Sequence, residues 1–219
     1  PYTRELDTGG WDEIFPSVSP CSIDGFIIPD HGDLVSLPWE TTHPSADSLV
    51  TTVTTCFAPC RFTRSLQLTG DTLRIHYSVE NLGRESIPYL WCAHPLIAIE
   101  PGMRILLPTG TRMQADGELV FAWPHAPSLP PLDVIHEPTA CFAIKMFTAV
   151  GSVNHITVTA PDGSLRISWN ADEIPHCGLW LNCGGWSGCE SPPYFNRGIE
   201  PTSSPFDSLV DAMKHRAYR

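Results

Sequence analysis

Basic residues are scarce in this chain: 13 Lys and Arg stand against 24 Asp and Glu, a formal net charge of −11. With no basic stripe anywhere, nucleic acid is not an expected partner. Long apolar runs are also missing. No stretch approaches the roughly 20 apolar residues of a membrane-spanning helix, so no membrane partner is expected either. Within these residues there is no signal-peptide pattern, lipidation motif or low-complexity segment. Phosphate loops, nucleophile elbows and dinucleotide fingerprints are absent. The acidic pairs Asp12-Glu13 and Asp172-Glu173 have no metal-loop spacing around them. No metal or organic cofactor is expected.

Strong helix formers are sparse, and 22 Pro with 16 Gly break the chain into short segments. Thr, Val, Ile and aromatics are plentiful, which favours strands. The 8 Cys do not read as a zinc site, because Cys56 and Cys60 are separated by three residues and Cys183 and Cys189 by five. Cys92, Cys141 and Cys177 sit in apolar segments and are expected to be buried free thiols of a reducing, cytoplasmic compartment.

Period-two alternation marks two hairpins. Phe62–Leu68 and Leu73–Val79 flank the turn residues Thr69-Gly70-Asp71, and Ile156–Thr159 and Leu165–Asn170 flank Pro161-Asp162-Gly163-Ser164. In the first hairpin Arg64 falls on the apolar face with Phe62, Leu66 and Leu68, so it must find a partner or line a cleft. Further strands are expected at 48–57, 88–99, 103–107, 118–123, 141–149 and 177–183. Short strands at this spacing indicate an all-β sandwich or barrel. One short C-terminal helix is expected, with Ser204 as N-cap, Pro205 at the first helical position, Asp207 in the first turn, and Phe206, Leu209, Val210 and Met213 on one face.

Three stretches carry chemistry. Asp30-His31-Gly32-Asp33 lies in a Pro-bounded loop that either presents an imidazole to a ligand or is an ordinary surface turn. His94 interrupts the apolar run Tyr89–Ile97, as a hydrogen-bonded core histidine or as a side chain re-aimed at the strand edge that Pro95 signals. Glu200, between Ile199 and Pro201, is either an exposed carboxylate at a loop end or a general base at the rim of a sheet. Trp39, Trp91, Trp180 and Trp186 could stack on a sugar or pack in a core.

Taken in order, these stretches resemble the aldose 1-epimerase (galactose mutarotase-like) family. The matching segments are Gly9–Glu13 with Phe15-Pro16, PDHGDLVSLPW at 29–39, Val79–Gly83 followed by WCAHPLI at 91–97, and Gly178–Asn182 followed by Ile199-Glu200-Pro201. The resemblance runs from about residue 9 to about residue 212. It implies a large antiparallel β-sandwich, a single domain over residues 1–219 that is expected to lack N-terminal strands and a final C-terminal strand of the family. It also implies a monosaccharide or sugar derivative as ligand, His94 as general acid and Glu200 as general base. Substrate contacts are expected from His31, Arg64, Asp30 and Trp180. Relatives acting on hexose 6-phosphates usually carry an aromatic residue or Arg after the His-Gly pair. Asp33-Leu34-Val35 stands there instead, and Asp33 would repel a phosphate, so the implied substrate is unphosphorylated.

The implied reaction is interconversion of α and β anomers by acid/base ring opening. As the acid, His94 must be protonated, so a neighbouring carboxylate is expected to raise its pKa more than burial lowers it. The alternatives are a carbohydrate-binding protein without turnover, and another sugar-processing enzyme. A glycosidase would need a second carboxylate about 5–10 Å from Glu200.

Overall fold

The computed structural model describes residues 10–115, 119–187 and 193–219. Gly9, Glu118 and Cys189, named above, lie outside the described residues. Strands in chain order are β1 (Trp11–Ile14), β2 (Cys21–Ile23), β3 (Phe26–Ile28), β4 (Glu40–Thr42), β5 (Ser48–Thr54), β6 (Cys60–Thr69), β7 (Thr72–Asn81) and β8 (Cys92–Ile97). There follow β9 (Arg104–Leu106), β10 (Arg112–Ala115), β11 (Leu119–Ala122), β12 (Phe142–Thr148), β13 (His155–Ala160), β14 (Gly163–Ser168), β15 (His176–Cys183) and β16 (Phe195–Thr202). A single short α-helix, α1 (Leu209–Lys214), closes the described chain.

The strands form a seven-stranded sheet of order β1-β8-β16-β15-β12-β10-β11, a four-stranded sheet β4-β5-β6-β7, a three-stranded sheet β14-β13-β9 and the hairpin β2-β3. Every strand pair is antiparallel. Both expected hairpins are present, as β6–β7 and β13–β14. The apolar face of β6–β7 outruns the core, however. Phe62 is fully buried, but Leu68 and Leu73 near the turn are exposed.

Alternation gives the large sheet two different faces. Met113, Ile144, Met146, Leu179, Leu181 and Ile199 point to one side, where Ile105, Ile156, Val158 and Ile167 of the three-stranded sheet meet them in the main core. On the same side at the β1–β8 end, Ala93 and Trp91 pack with Val53 and Phe62 of the four-stranded sheet. Two small sheets thus cover one face of the large one, as the sandwich expectation requires. Among the described residues the opposite face is covered by a packed cluster at one end, where Ile14 and Cys92 pack against Ile28 of the β2-β3 hairpin and against Leu209 and Ala212 of α1. The rest of that face is free to form a cleft.

Two details differ from the sequence reading. The helix is capped by Ser208, whose side chain accepts from the Asp211 backbone N–H. Asp207 therefore precedes the helix instead of sitting in its first turn. Cys141 is exposed and has a positive φ of 53°, because it ends a 3-10 turn just before β12. The seven described cysteines form no disulfide.

Candidate functional site

The register of the large sheet assembles the site. β16 pairs with β8 at Arg197–Ile97, Gly198–Leu96 and Thr202–Cys92, and that register sets Glu200 opposite His94. No position between these points is paired. Pro95 and Pro201, each lacking an N–H, fall in the gap. On the other side Glu200 faces Gly178 of β15, and Gly198 faces Trp180. Trp180 in turn faces Lys145 of β12. His94, Leu96, Glu200, Asn196, Trp180 and Lys145 are therefore all in phase on the open face, and all line one cavity of about 230 Å³.

Loops complete the walls. Asp30 and His31 follow β3, Val18 and Ser19 follow β1, Asp207 precedes α1, and Trp186 and Tyr194 lie beyond β15 and before β16. The loop at 17–19 ties the wall together. Val18 and Ser19 donate to the Asp207 carbonyl, each at 2.8 Å, and His31 N–H donates to the Val18 carbonyl at 2.8 Å. His31 and Gly32 have φ of 63° and 70°. Only glycine fits the second position, since a Cβ there would come within 2.0 Å of the Phe15 carbonyl oxygen. This tight turn aims the His31 ring inward.

His31, His94 and Glu200 converge. The two rings lie edge to face with centroids 5.1 Å apart, and His94 Nε2 stands 3.9 Å from Glu200 Oε1. His31 Nδ1 pairs with Asp30 at 3.0 Å, which holds the Asp30 carboxyl below its usual range. The Trp180 indole N–H donates to Asn196 Oδ1 at 3.0 Å and leaves the ring as a wall. Trp186 meets it edge on and stacks on Tyr194. Trp39 and Trp91 belong to the core.

Arg64 is not part of this site. It is half-buried, pairs with the buried Glu13 at 3.2 Å and lies over the Trp39 ring at 5.1 Å. Glu13 pairs with Ala93 and Asp12 with His94 along β1–β8, so alternation puts Glu13 and Arg64 on the face opposite the cleft. Arg64 thus satisfies the expectation of a buried partner, but not that of a substrate contact. Asp33 is likewise structural. Its Oδ2 accepts from the Cys56 and Phe57 backbone N–H groups at 2.5 and 3.2 Å, so it does not bear on phosphate in the cleft.

Glu200 is not at a loop end. It lies within β16, in the interior of the large sheet, with 0% exposure. Two charged cavity residues escaped the sequence reading as site groups: Lys145, whose ammonium bonds Glu200 Oε2, and Asp207, 3.8 Å from the same ammonium. The signal for Lys145 was there, as a charge inside the apolar strand Phe142–Thr148. Burial alone would raise the Glu200 pKa, but Lys145 and then His94 outweigh it and hold it below its ordinary value. Burial would lower Lys145, yet Glu200 and Asp207 raise it. Asp207 is raised, by burial first. Burial also wins at His94 and lowers its pKa to about 4 against the pull of Glu200. The expected protonated His94 is therefore corrected: the ring is neutral at pH 7. Among the described residues no group of three or more His, Cys, Asp or Glu could hold a metal ion, and no helix is long and apolar enough to cross a membrane.

No family model matches the chain, and no curated protein matches it by sequence. Solved structures do. The chain superposes on the Slr1438 protein from Synechocystis sp. PCC 6803 with a TM-score of 0.68, at 18% identity, over 91% of this chain and 70% of that one. A putative aldose 1-epimerase from Escherichia coli K12 gives a TM-score of 0.66 at 18% identity over 90% and 74% of the two chains. A galactose mutarotase-like protein from Lactobacillus casei ATCC 334 gives 0.63 at 15% identity over 90% and 74%. The fold is galactose mutarotase-like. Within it, the cleft on the open face of the large sheet is where function must be argued, because a fold alone does not assign chemistry.

Proposed function

We propose that the cleft binds one unphosphorylated aldose and interconverts its α and β anomers. The observation that supports this most is Glu200 Oε1, a buried carboxylate oxygen without a hydrogen-bond partner, 3.9 Å from His94 Nε2. An anomeric carbon carries its hydroxyl and the ring oxygen on one atom, so the base and acid that serve it must stand side by side. Oε1 takes the hydroxyl proton, and the bond from the anomeric carbon to the ring oxygen breaks as the carbonyl forms. The ring oxygen takes a proton from Nε2 of His94 in its imidazolium form, leaving the neutral ring. The aldehyde then rotates, the ring closes on its other face, and both protons return. Each group contributes about 10²–10⁴-fold. In the resting neutral ring His94 Nδ1 is buried without a partner among the described residues, which favours the tautomer carrying its proton on Nε2, toward Glu200 and the cavity; a second proton is needed before the ring acts as the acid. His31, Asp30 and Trp180 hold the sugar. Lys145, the only Lys or Arg among the described lining residues, is already engaged by two carboxylates, so a phosphate would find no free cation.

A sugar-binding protein without turnover is the second reading, favoured by the ion pair on Glu200 and the neutral His94. A glycosidase is disfavoured, because Lys145 pairs with both Glu200 and Asp207 where a sugar would have to lie. Polarimetry on freshly dissolved α-glucose and α-galactose separates these readings. The protein should speed relaxation, Glu200→Gln should abolish the gain, and His94→Asn should reduce it strongly, with sugar binding retained in both. Binding without acceleration by the unaltered protein would establish the second reading.

A further inference from the structure

The Lys145 side chain crosses the sheet to reach its partner. It starts on β12 opposite Trp180 and ends on the carboxylate of β16, passing over Gly178 of the intervening strand. Two glycines keep that path open. A Cβ on Gly178 would stand 3.3 Å from both Glu200 Oε2 and Lys145 Cε, and one on Gly198 would stand 2.4 Å from Glu200 Oε1. The two carboxylate oxygens are thereby made unlike. Oε2 is taken by Lys145 and approached by the Cys92 thiol at 3.7 Å. Oε1 has no hydrogen-bond partner among the described residues and faces His94.

We propose that Lys145 is a positioning residue of this site: by seizing Oε2 across the two-glycine floor it keeps Glu200 ionised and turns Oε1 alone toward the substrate. Glu200 is fully buried, and a carboxylate in that setting without a cation in contact takes up a proton. The groups around it are Lys145 on β12, His94 and Cys92 on β8, Cys177 on β15, Asp207 before α1, and His31 with Asp30 on the loop after β3. Of these Lys145 is the cation in contact with the carboxylate, and His94 is neutral at pH 7. Asp207 adds a second carboxylate 3.8 Å from the ammonium and so helps retain Lys145 in place. The kinetic half of the test rests on the mutarotase reading, whereas the titration half does not.

The test uses Lys145→Met, Lys145→Arg and, as a control, Lys214→Met, an exposed lysine paired with Asp211 on α1. Carboxyl ¹³C NMR follows the titration of Glu200, assigned by the signal missing in Glu200→Gln, and the pH–rate profile of mutarotation is recorded alongside. Lys145→Met should move the Glu200 midpoint to higher pH and carry the acid limb of kcat with it, with less effect on KM. Lys145→Arg should restore both, and Lys214→Met should change neither. Gly178→Ala presses on Oε2 and Lys145 Cε while leaving both charges present. It should shift the midpoint in the same direction by less, and it decides the matter if Lys145→Met does not fold. An unmoved Glu200 midpoint in these variants, or an activity loss by the same factor at every pH, overturns the proposal. If no variant and no unaltered protein speeds mutarotation, the functional reading fails, and the midpoint still decides the role of Lys145.

Discussion

Two carboxylates are buried in opposite faces of the same sheet, and their pKa values shift in opposite directions. Glu200 on β16 is held below its ordinary pKa. Glu13 on β1, 3% exposed, is raised to about 7. Each has a cation from a strand that does not pair with its own, so burial and pairing alone do not set the sign. What differs is the approach. Lys145 brings a compact ammonium into contact with Oε2. Arg64 reaches Glu13 through one Nη at 3.2 Å, while its delocalised guanidinium also lies over Trp39. The Tyr77 hydroxyl donates to the same Glu13 oxygen at 2.9 Å, and the other oxygen is left without a partner. Coulombic attraction must be close to outweigh the loss of hydration. The cleft face keeps a usable anion, and the inner face keeps a carboxyl that takes up a proton near neutrality.

The largest expected effect sharpens the cleft side of this contrast. His94 reaches its acid form only near pH 4, and Glu200 stays ionised below the usual carboxylate range. If proton transfer to the ring oxygen limits the rate, activity should fall about tenfold per unit as pH rises above that value. An optimum at pH 7 or above, measured by polarimetry with the buffer rate subtracted, would rule out His94 as the acid.

Stability should break the symmetry next. For Glu13 the native state holds the proton between 4.5 and about 7 while the unfolded chain has released it. Its contribution is fully present below 4.5 and is lost as pH rises through 7, by up to roughly 3 kcal/mol. Glu200 has the opposite sign: its contribution is present above its unfolded pKa and is lost as pH falls through the lower folded value. His94, lowered from 6.5 to about 4, also makes stability rise with pH within that interval and so masks Glu13. Glu13→Gln should therefore steepen the rise of unfolding free energy between pH 5 and 6.5, whereas Glu200→Gln should flatten the loss below pH 4.5. Urea titrations of both variants across that range measure the two slopes, and equal signs would refute the contrast.

The smallest effect concerns Arg64. Arg64→Met should destabilise by about 1–3 kcal/mol at pH 8, where Glu13 is ionised and left without its cation, and by less at pH 5, where the carboxyl is neutral. Cleft sugar binding should be unchanged, because the pair faces away from it. A loss of sugar affinity in Arg64→Met would restore the substrate contact that its place on the sheet argues against.

Much of the fold was legible because strand alternation is local. Phe62 to Val79 and Ile156 to Ile167 announce their hairpins within about twenty residues. The interior strand β16 was not legible, since Asn196-Arg197-Gly198 and Pro201 read as loop, and only its pairing with β15 and β8 shows it to be a strand. His31, His94 and Glu200 were visible as polar groups in Pro- and Gly-rich or apolar settings. Lys145 was passed over although the reasoning that singled out Arg64, a charge inside an alternating strand, applies to it equally.

The amino-acid pattern by itself determined where the chain alternates, which residues are charged within apolar strands, and the order of the His and Glu segments that resemble a sugar cleft. It could not say which of two strand charges enters the cleft. A shift of one residue in register turns every side chain of a strand to the other face, and the register of β8, β16, β15 and β12 depends on partners between 12 and 110 positions away in sequence. Only that non-local pairing placed Lys145 on Glu200, sent Arg64 to the opposite face with Glu13, and left His94 neutral beneath the cavity.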